Sequence, residues 1–256
     1  MAAVTSDPDS ALLRGLRVLE MLAASDRALP LSVVADALGL PRPTVHRILR
    51  QLALSGFLAQ EPADRNYRLA RRTTRLAVDA MRHGARQADR RVILERLVDD
   101  LNETCNITML DGAEVVYVDR VESQWPLQMT LQPGSRVPLH CTASGKLFFA
   151  LLPARTRKRL LATLPLERRT VRTLVEPALL EAEFVRIREA RFGTDNEEFL
   201  DGLVAASVPV MDAAGRPIAA VAVHGPVGRL SFDRALGLVP RLRQAADELA
   251  EAFEAG

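Results

Sequence analysis

Two short helical patterns separated by a glycine, between Leu31 and Gly56, constrain the fold more than any other stretch of this sequence. In each half the apolar residues recur at positions i, i+3, i+4 and i+7, the spacing of a helix with one buried face. Between them, Gly39 suits the left-handed conformation that ends a helix, and Pro41 prevents the first helix from continuing. The segment therefore predicts two helices that meet across a tight turn. The first stripe comprises Leu31, Val34, Ala35 and Leu38, and the second comprises Val45, Ile48, Leu49 and Leu52.

The outward face of the second predicted helix is cationic. At about 100° per residue, its basic side chains fall on the face opposite the buried stripe. A basic helix that follows a short helix and a tight turn is typical of a helix-turn-helix, whose second helix enters the DNA major groove. A helical hairpin with merely solvated arginines is the alternative interpretation. If DNA binds here, we expect base or phosphate contacts from Arg42, Thr44, His46, Arg47 and Arg50.

A β-hairpin is predicted directly after the helix pair. Apolar residues at 57–58 and 67–69 flank a turn that contains Pro, Asp and Asn, and Arg65 lies near its tip. This hairpin corresponds to the wing of a winged helix, and Arg65 would contact a phosphate. A preceding helix from Ser10, with Leu12, Leu16, Leu19 and Leu22 on its buried side, completes a predicted DNA-binding domain over residues 9–70.

The composition excludes several classes of protein. With 256 residues, 48% hydrophobic and 26% charged, the chain has the content of a globular protein rather than a disordered one. Its net charge of +2 restricts any nucleic-acid surface to a local patch. Two cysteines favour a reducing, cytoplasmic location, and no segment has the pattern of a signal peptide or membrane span.

A second domain of α+β type is predicted over residues 89–254, after a linker helix over residues 71–88 whose apolar stripe is thin. Asp111-Gly112 between two β-branched runs predicts a hairpin. A further strand is predicted near Leu127, a helix from Ser144, and two strands over 204–211 and 217–224. A terminal helix closes the domain.

Four phrases, in this order, carry a resemblance to a known family: LGLPRPTVHRIL, GAEVVYVDRVES, PGSRVPLHCTASGKLFFALLP and GTDNEEFLDGLVAASVPVMDAAGRPIAAVAVHGP. The chain resembles the isocitrate-lyase-regulator (IclR) family of bacterial transcription factors over nearly its whole length. The resemblance implies a winged helix-turn-helix domain, a linker helix and an effector-binding domain similar to GAF domains. It further implies a homodimer or dimer of dimers on a palindromic operator, controlled by a small organic acid, with no cofactor and no catalytic activity.

The resemblance also implies an effector site. Backbone N–H groups at the start of the helix near Ser144 are suited to a carboxylate. Family members that sense small keto acids carry a cysteine and two serines where this chain has Ala205, Ala222 and His224. The hypothesis here is therefore a bulkier, partly apolar acid, for example an aromatic one. His224 would donate to this acid or, alternatively, only cap a strand end. The implied site comprises Leu127, Met129, Val137, Ala143, Ser144, Asp195, Leu203, Ala205, Ala222 and His224.

Two other classes of function are alternatives to this one. A GAF-like redox enzyme would have to use Cys105 or Cys141, and a protein-interaction module would carry a vestigial winged helix. No His/Cys cluster has metal-ligand spacing, although the residues leave open a zinc ion between Asp195 and His224. None of these patterns specifies the operator sequence, the effector, or whether the protein represses or activates transcription.

Overall fold

The computed structural model describes residues 10–25, 27–62, 64–83, 87–125 and 131–254. The chain divides into two compact units, Met1–Asp79 and Ala80–Gly256, each of which is described by itself. Across the described residues, no helix combines the length and the apolar character needed to cross a membrane.

The N-terminal unit contains the predicted helix pair. Gly39 follows the first of the two helices with φ of 64°, in the left-handed region that favours glycine. The interior residues include Val34, Val45 and Leu49, as the stripes predicted, so this prediction is confirmed. The elements are α1 (Ala11–Ala23), α2 (Leu31–Leu38), α3 (Arg42–Leu54), β1 (Leu58–Gln60) and β2 (Tyr67–Leu69).

Only the C-terminal half of α1 is buried, which differs from the prediction. Val18 and Leu22 are in the core, whereas Leu12 and Leu16 are 73% and 46% exposed. The predicted burial of Leu12 and Leu16 is therefore wrong, because α1 reaches the small helical core only through its last turns. The first turn is stabilised instead by Ser10, whose hydroxyl accepts a hydrogen bond from the Leu13 N–H at 3.2 Å.

The predicted hairpin is also present. Strands β1 and β2 pair antiparallel, with Leu58 opposite Leu69. Leu29 forms an isolated β-bridge with this hairpin, because it exchanges both backbone hydrogen bonds with Tyr67, at 2.9 and 2.8 Å. The helix-turn-helix and its wing thus share one core, as in a winged helix.

Helix α4 (Arg71–His83) follows β2, and the division between the two units falls within it. Its first turn is attached to the hairpin, since Arg72 lies over the Phe57 ring at 4.5 Å and Thr73 donates a hydrogen bond to the Phe57 carbonyl at 2.6 Å. The linker helix predicted over 71–88 corresponds to α4 up to His83, and the next helix already begins at Gln87.

The C-terminal unit is built around a six-stranded antiparallel sheet in the order β5-β4-β3-β8-β7-β6. The predicted hairpin at Asp111-Gly112 and the two late strands are confirmed, but the short edge strands β5 and β6 were not predicted. The strand predicted near Leu127 lies outside the described residues. The elements are α5 (Gln87–Leu101), β3 (Thr104–Asp111), β4 (Glu114–Val121), β5 (Arg136–Pro138), α6 (Ala143–Leu151), α7 (Ala154–Thr163), α8 (Pro177–Ala190), β6 (Gly193–Asn196), β7 (Leu203–Met211), β8 (Pro217–Pro226), α9 (Phe232–Gly237) and α10 (Val239–Glu254).

The two faces of this sheet have different roles because successive residues of a strand point to opposite sides. On β3, Cys105 and Ile107 face one side, where α5 and α10 pack. Asn106 and Thr108 face the other side, which α6 covers and where the first turn of α6 approaches the strands. Polar residues on an otherwise buried face indicate a site rather than a core.

Candidate functional site

The predicted recognition helix α3 presents its basic face to solvent. Val45, Ile48 and Leu49 are buried on the opposite side, in the core of the N-terminal unit. In the part of the chain that the structure describes, the guanidinium groups of Arg42, Arg47 and Arg50 take part in no hydrogen bond or ion pair. Arg42, His46, Arg47 and Arg50 are exposed, and Thr44 is half-buried.

The wing places Arg65 in a tightly hydrogen-bonded turn. The residue has φ of 57°, and its N–H donates to the Glu61 carbonyl at 3.0 Å. Its own carbonyl accepts from the Gln60 side chain at 2.9 Å, while Asp64 accepts from the Asn66 N–H at 3.1 Å. The backbone is thus held and the exposed guanidinium is left to solvent, which suits a phosphate contact.

A cavity in the C-terminal unit lies between α6 and the sheet, with about 370 Å³ of empty space that includes part of the open solvent. It brings together eight of the ten residues that the resemblance implied. Leu127 and Met129, the remaining two, lie outside the described residues. The eight are Val137, Ala143, Ser144, Asp195, Leu203, Ala205, Ala222 and His224.

The first turn of α6 directs hydrogen-bond donors at this cavity. Thr142 caps the helix, since its hydroxyl accepts from the Gly145 N–H at 3.1 Å and donates to the Pro138 carbonyl at 2.8 Å. The N–H groups of Ala143 and Ser144 belong to the first turn, where no carbonyl of the same helix can accept from them. A helix N-terminus with such donors attracts an anion.

Asp195 contributes a carboxyl group to the cavity from β6. Burial raises its pKa to about 7, an effect that the neighbouring Glu198 carboxylate reinforces and that Lys146 and two backbone hydrogen bonds oppose. Those hydrogen bonds come from the N–H groups of Glu198 and Phe199 to Oδ1, at 2.7 and 3.3 Å. Near neutral pH the group therefore exists partly as the neutral acid.

Behind Asp195 lies a buried ion-pair network that the sequence analysis missed. Lys146 of α6 is 1% exposed and pairs with Glu198 and, at 3.4 Å, with Glu183. Glu183 also accepts from Arg186 at 2.8 Å. The signal was available, because a lysine inside the apolar run SGKLFFALL must either leave the helix core or find a carboxylate partner.

His224 lines the cavity with both ring nitrogens already occupied. Nδ1 is 3.1 Å from the Asn106 amide, and Nε2 is 3.1 Å from Arg120 Nη1. Burial, together with the nearby charges of Arg120 and Arg229, lowers the pKa of His224 to about 3, so the ring is neutral. His224 lies within β8 rather than at its end, since the strand continues to Pro226 and pairs His224 with strands on both sides. Its two protein contacts favour a structural role, and its hydrogen bond to an effector stays a prediction.

Several lining residues were not anticipated. In the strand CNITML, Asn106 and Thr108 alternate with apolar residues, and this alternation could have identified them as site residues. The others come from segments that are distant in the sequence and are brought to the cavity only by the tertiary fold. The additional lining residues are Asn106, Thr108, Val115, Tyr117, Thr142 and Phe199.

The two cysteines have the environment of core residues. Both are buried and unpaired, and burial raises the pKa of the Cys141 thiol to about 12 and that of Cys105 further. A thiol without accessible thiolate is a poor nucleophile or redox group. Within the described ranges, no group of three or more His, Cys, Asp or Glu side chains is placed to hold a metal ion. Neither the redox nor the zinc hypothesis gains support.

Comparison with known families agrees with both halves of this description. Residues 11–62 match the family model "IclR helix-turn-helix domain", and residues 81–251 match "Bacterial transcriptional regulator IclR C-terminal". The chain belongs to the IclR family. As an IclR-family member it is a DNA-binding transcriptional regulator with a C-terminal effector-binding domain, and the predicted two-domain fold is confirmed.

Individual relatives agree with this assignment. The chain is 46% identical to the probable transcriptional regulator SauR of Cupriavidus necator, over 98% of this chain and 99% of that protein. The fold is similar to that of the Thermotoga maritima IclR structure, with a TM-score of 0.63 and 24% identity over 94% and 97% of the two chains. It is also similar to an IclR homologue from Microbacterium hydrocarbonoxydans in complex with 4-hydroxybenzoate (TM-score 0.60, 25% identity, 96% and 100% coverage).

Proposed function

We propose that this IclR-family regulator changes its affinity for a palindromic operator when a small organic acid binds in the cavity between α6 and the sheet. The observation that carries the proposal is the cavity itself, which combines a helix N-terminus with apolar walls. The relative that binds 4-hydroxybenzoate supports an acid of this size and an aromatic body.

The chemistry of the lining defines the class of acid. Among the described lining residues none is arginine or lysine, so a carboxylate would be held by N–H and hydroxyl donors rather than by an ion pair. The apolar side chains favour a ligand with a hydrocarbon body over a two-carbon acid. The apolar contacts in this proposal are Val115, Val137, Leu203, Ala205 and Ala222.

On the DNA side, we assign base contacts to the arginines of α3 and phosphate contacts to Thr44 and Arg65, with His46 at the edge of the interface. Arginine is the residue best suited to bidentate recognition of guanine. A homodimer or a dimer of dimers would place two such helices on the two halves of a palindrome. No observation on the described residues favours a catalytic role.

The replacement Arg47→Ala is expected to weaken operator binding by about tenfold or more, because one bidentate guanine contact contributes about 1–3 kcal/mol. Binding is measured by gel shift on the DNA upstream of the protein's own gene, at several salt concentrations and with and without benzoate and 4-hydroxybenzoate. Wild-type binding should weaken steeply as salt rises.

Arg155→Ala is the matched control, because Arg155 is an exposed arginine of α7 in the other unit. It should leave operator binding unchanged. If the Arg47→Ala variant binds the operator as tightly as the wild type, and its circular dichroism shows that the helices are intact, Arg47 is not part of the interface. If binding persists but no organic acid alters it, the effector half of the proposal fails.

A further inference from the structure

The contacts of His224 cannot both be hydrogen bonds unless the Asn106 amide has one particular orientation. Arg120 can only donate, so the Nε2 atom that it faces must be the acceptor and Nδ1 must carry the ring proton. An N–H at Nδ1 then requires an acceptor at 3.1 Å, and Asn106 is the group that lies there. The structure places Asn106 Nδ2 at this position, but the carbonyl oxygen is the only acceptor atom of the side chain. The amide must therefore be flipped, with its oxygen on His224.

With its oxygen on His224, the Asn106 side chain turns its NH₂ group the other way. Asn106 is 1% exposed and lines the cavity, and its Oδ1 atom as placed has no hydrogen-bond partner among the described residues. In the flipped amide the NH₂ group occupies this position. The unmatched group is then a donor. A buried amide donor without an acceptor is destabilising, so a bound molecule that supplies an oxygen gains affinity from this contact.

Thr108 repeats this pattern two residues further along the same face of β3. It is also 1% exposed and lines the cavity, and its hydroxyl has no partner among the described residues. The facing strand explains why both side chains reach the cavity. On β8, Asn106 lies opposite Ala222 and Thr108 opposite Ala220, so on that side only methyl groups stand beside them. On β4 their partners are the larger Arg120 and Tyr117.

From these contacts, we propose that Asn106, together with Thr108, forms a second polar subsite of the cavity, and that His224 is the positioning residue that orients the Asn106 amide. The subsite takes a hydroxyl or oxo oxygen of the effector, on the floor formed by β3 and separate from the carboxylate donors of α6. The effector is therefore a hydroxy or oxo acid rather than a simple monocarboxylic acid. This inference rests on the acid-binding role proposed above.

The arrangement also explains why His224 is not itself the ligand contact. Its two nitrogens are used by Arg120 and Asn106, and burial, together with the nearby positive charges, lowers its pKa so that the ring stays neutral. Because Arg120 donates to Nε2, Nδ1 carries the ring proton and donates to the Asn106 oxygen. His224 thereby fixes which end of the Asn106 amide faces the cavity.

The first test is the tautomer of His224, which needs no ligand. The full-length chain contains four histidines, so ¹⁵N-histidine labelling gives few signals, and the His224 signals are those lost in the His224→Gln variant. We expect a neutral ring protonated at Nδ1 across the neutral pH range. A ring protonated at Nε2 would overturn the inference, because the amide would then present its oxygen to the cavity.

The second test compares acids that differ by one hydroxyl group: propanoate with 3-hydroxypropanoate, and benzoate with 4-hydroxybenzoate. By calorimetry on the full-length wild type, the hydroxy acid of at least one pair should bind about tenfold tighter than its parent. In Asn106→Leu this ratio should fall to about one, while the parent acid keeps its affinity. His224→Phe should also lower the ratio of the two affinities, because the Asn106 amide would no longer be held in one orientation.

Thr104→Val is the matched control, because Thr104 lies on the same face of β3 but bonds to Ser123 and does not line the cavity. Its ratio should equal that of the wild type. If acids bind but the ratio survives in Asn106→Leu, the second subsite is wrong and the proposed function stands. If none of the four acids binds the wild type, the subsite falls together with the acid-binding proposal.

Discussion

The Lys146→Met variant is expected to lose about 3–5 kcal/mol in free energy of unfolding, the usual cost of removing one partner of a buried ion pair. The lysine is almost fully enclosed, and the Glu198 and Glu183 carboxylates that it faces are themselves mostly buried. Without the ammonium group, Glu198 would keep its charge in a poorly solvated place where one of its oxygens already has no hydrogen-bond partner among the described residues.

Chemical denaturation of the full-length protein measures this loss, and Lys158→Met is the control. Lys158 is the second of the two lysines in the sequence and lies exposed on α7. Adding Glu198→Gln to Lys146→Met should restore part of the stability, because it removes the uncompensated charge. Equal stability of the Lys146→Met and Lys158→Met variants would show that the buried pair contributes nothing net.

The loss of stability in Lys146→Met is expected to depend on pH in one direction. Burial already raises the pKa of Glu198, and loss of Lys146 removes the group that opposes this rise most strongly. An acid with a raised folded-state pKa destabilises the native state at high pH and stops doing so once it is protonated. The deficit of the variant should therefore shrink as the pH is lowered from about 8 towards about 5.

Effector acids are expected to bind about tenfold tighter for each pH unit that the solution is lowered from about 9 to about 7, and to level off below that. Burial holds the pKa of Asp195 at about 7, so below this value its carboxyl group is neutral. A neutral carboxyl does not repel the carboxylate of a ligand in the same cavity and can donate a hydrogen bond to it. Binding is then linked to the uptake of one proton.

Calorimetry of 4-hydroxybenzoate over this pH range, in buffers of different ionisation enthalpy, measures the linked proton directly. Asp195→Asn should bind with little dependence on pH, because the amide oxygen can still accept from the N–H groups of Glu198 and Phe199. Asp201→Asn, at an exposed position, should behave like the wild type. A pH dependence unchanged by Asp195→Asn would assign the proton to another group.

The same residue sets a pH dependence of stability. Because the folded-state pKa of Asp195 lies above the ordinary value of 3.8, the native state retains a proton that the unfolded chain releases between about pH 4 and 7. Its favourable contribution is complete below this range and is lost as the pH rises through it. Asp195→Asn should therefore be stabilised relative to the wild type more at about pH 8 than at about pH 5.

The positions of helices and hairpins could be predicted from local sequence patterns. Which residues of an element are buried could not. The stripes of α2 and α3 and the turns at Gly39 and Gly112 depend on neighbours within a few residues, and the structure has them as predicted. Leu12 and Leu16 continue the apolar pattern of α1 but face solvent, since exposure depends on where the rest of the N-terminal unit ends. Strands β5 and β6 are too short for their periodicity to be read.

The residues that line the cavity could likewise be predicted only in part from the sequence. The resemblance placed Val137, Ser144 and Asp195 in one site, and they do line one cavity, although their role in binding stays a prediction. The resemblance gave no indication that Asn106, 118 residues from His224 in the chain, would meet it on adjacent strands. Nor did it indicate that Lys146 would find Glu198 inside the domain.

The linear pattern of apolar, charged and turn-forming residues was sufficient for the winged helix and its arginine face, because a 3.6-residue period and a left-handed glycine are local properties. The raised pKa of Asp195, the hydrogen-bond partners of His224 and the pairing of Lys146 arose only when the six-stranded sheet and α6 closed around them. Desolvation and hydrogen-bond pairing depend on every group within a few ångströms, and those groups come from distant parts of the chain.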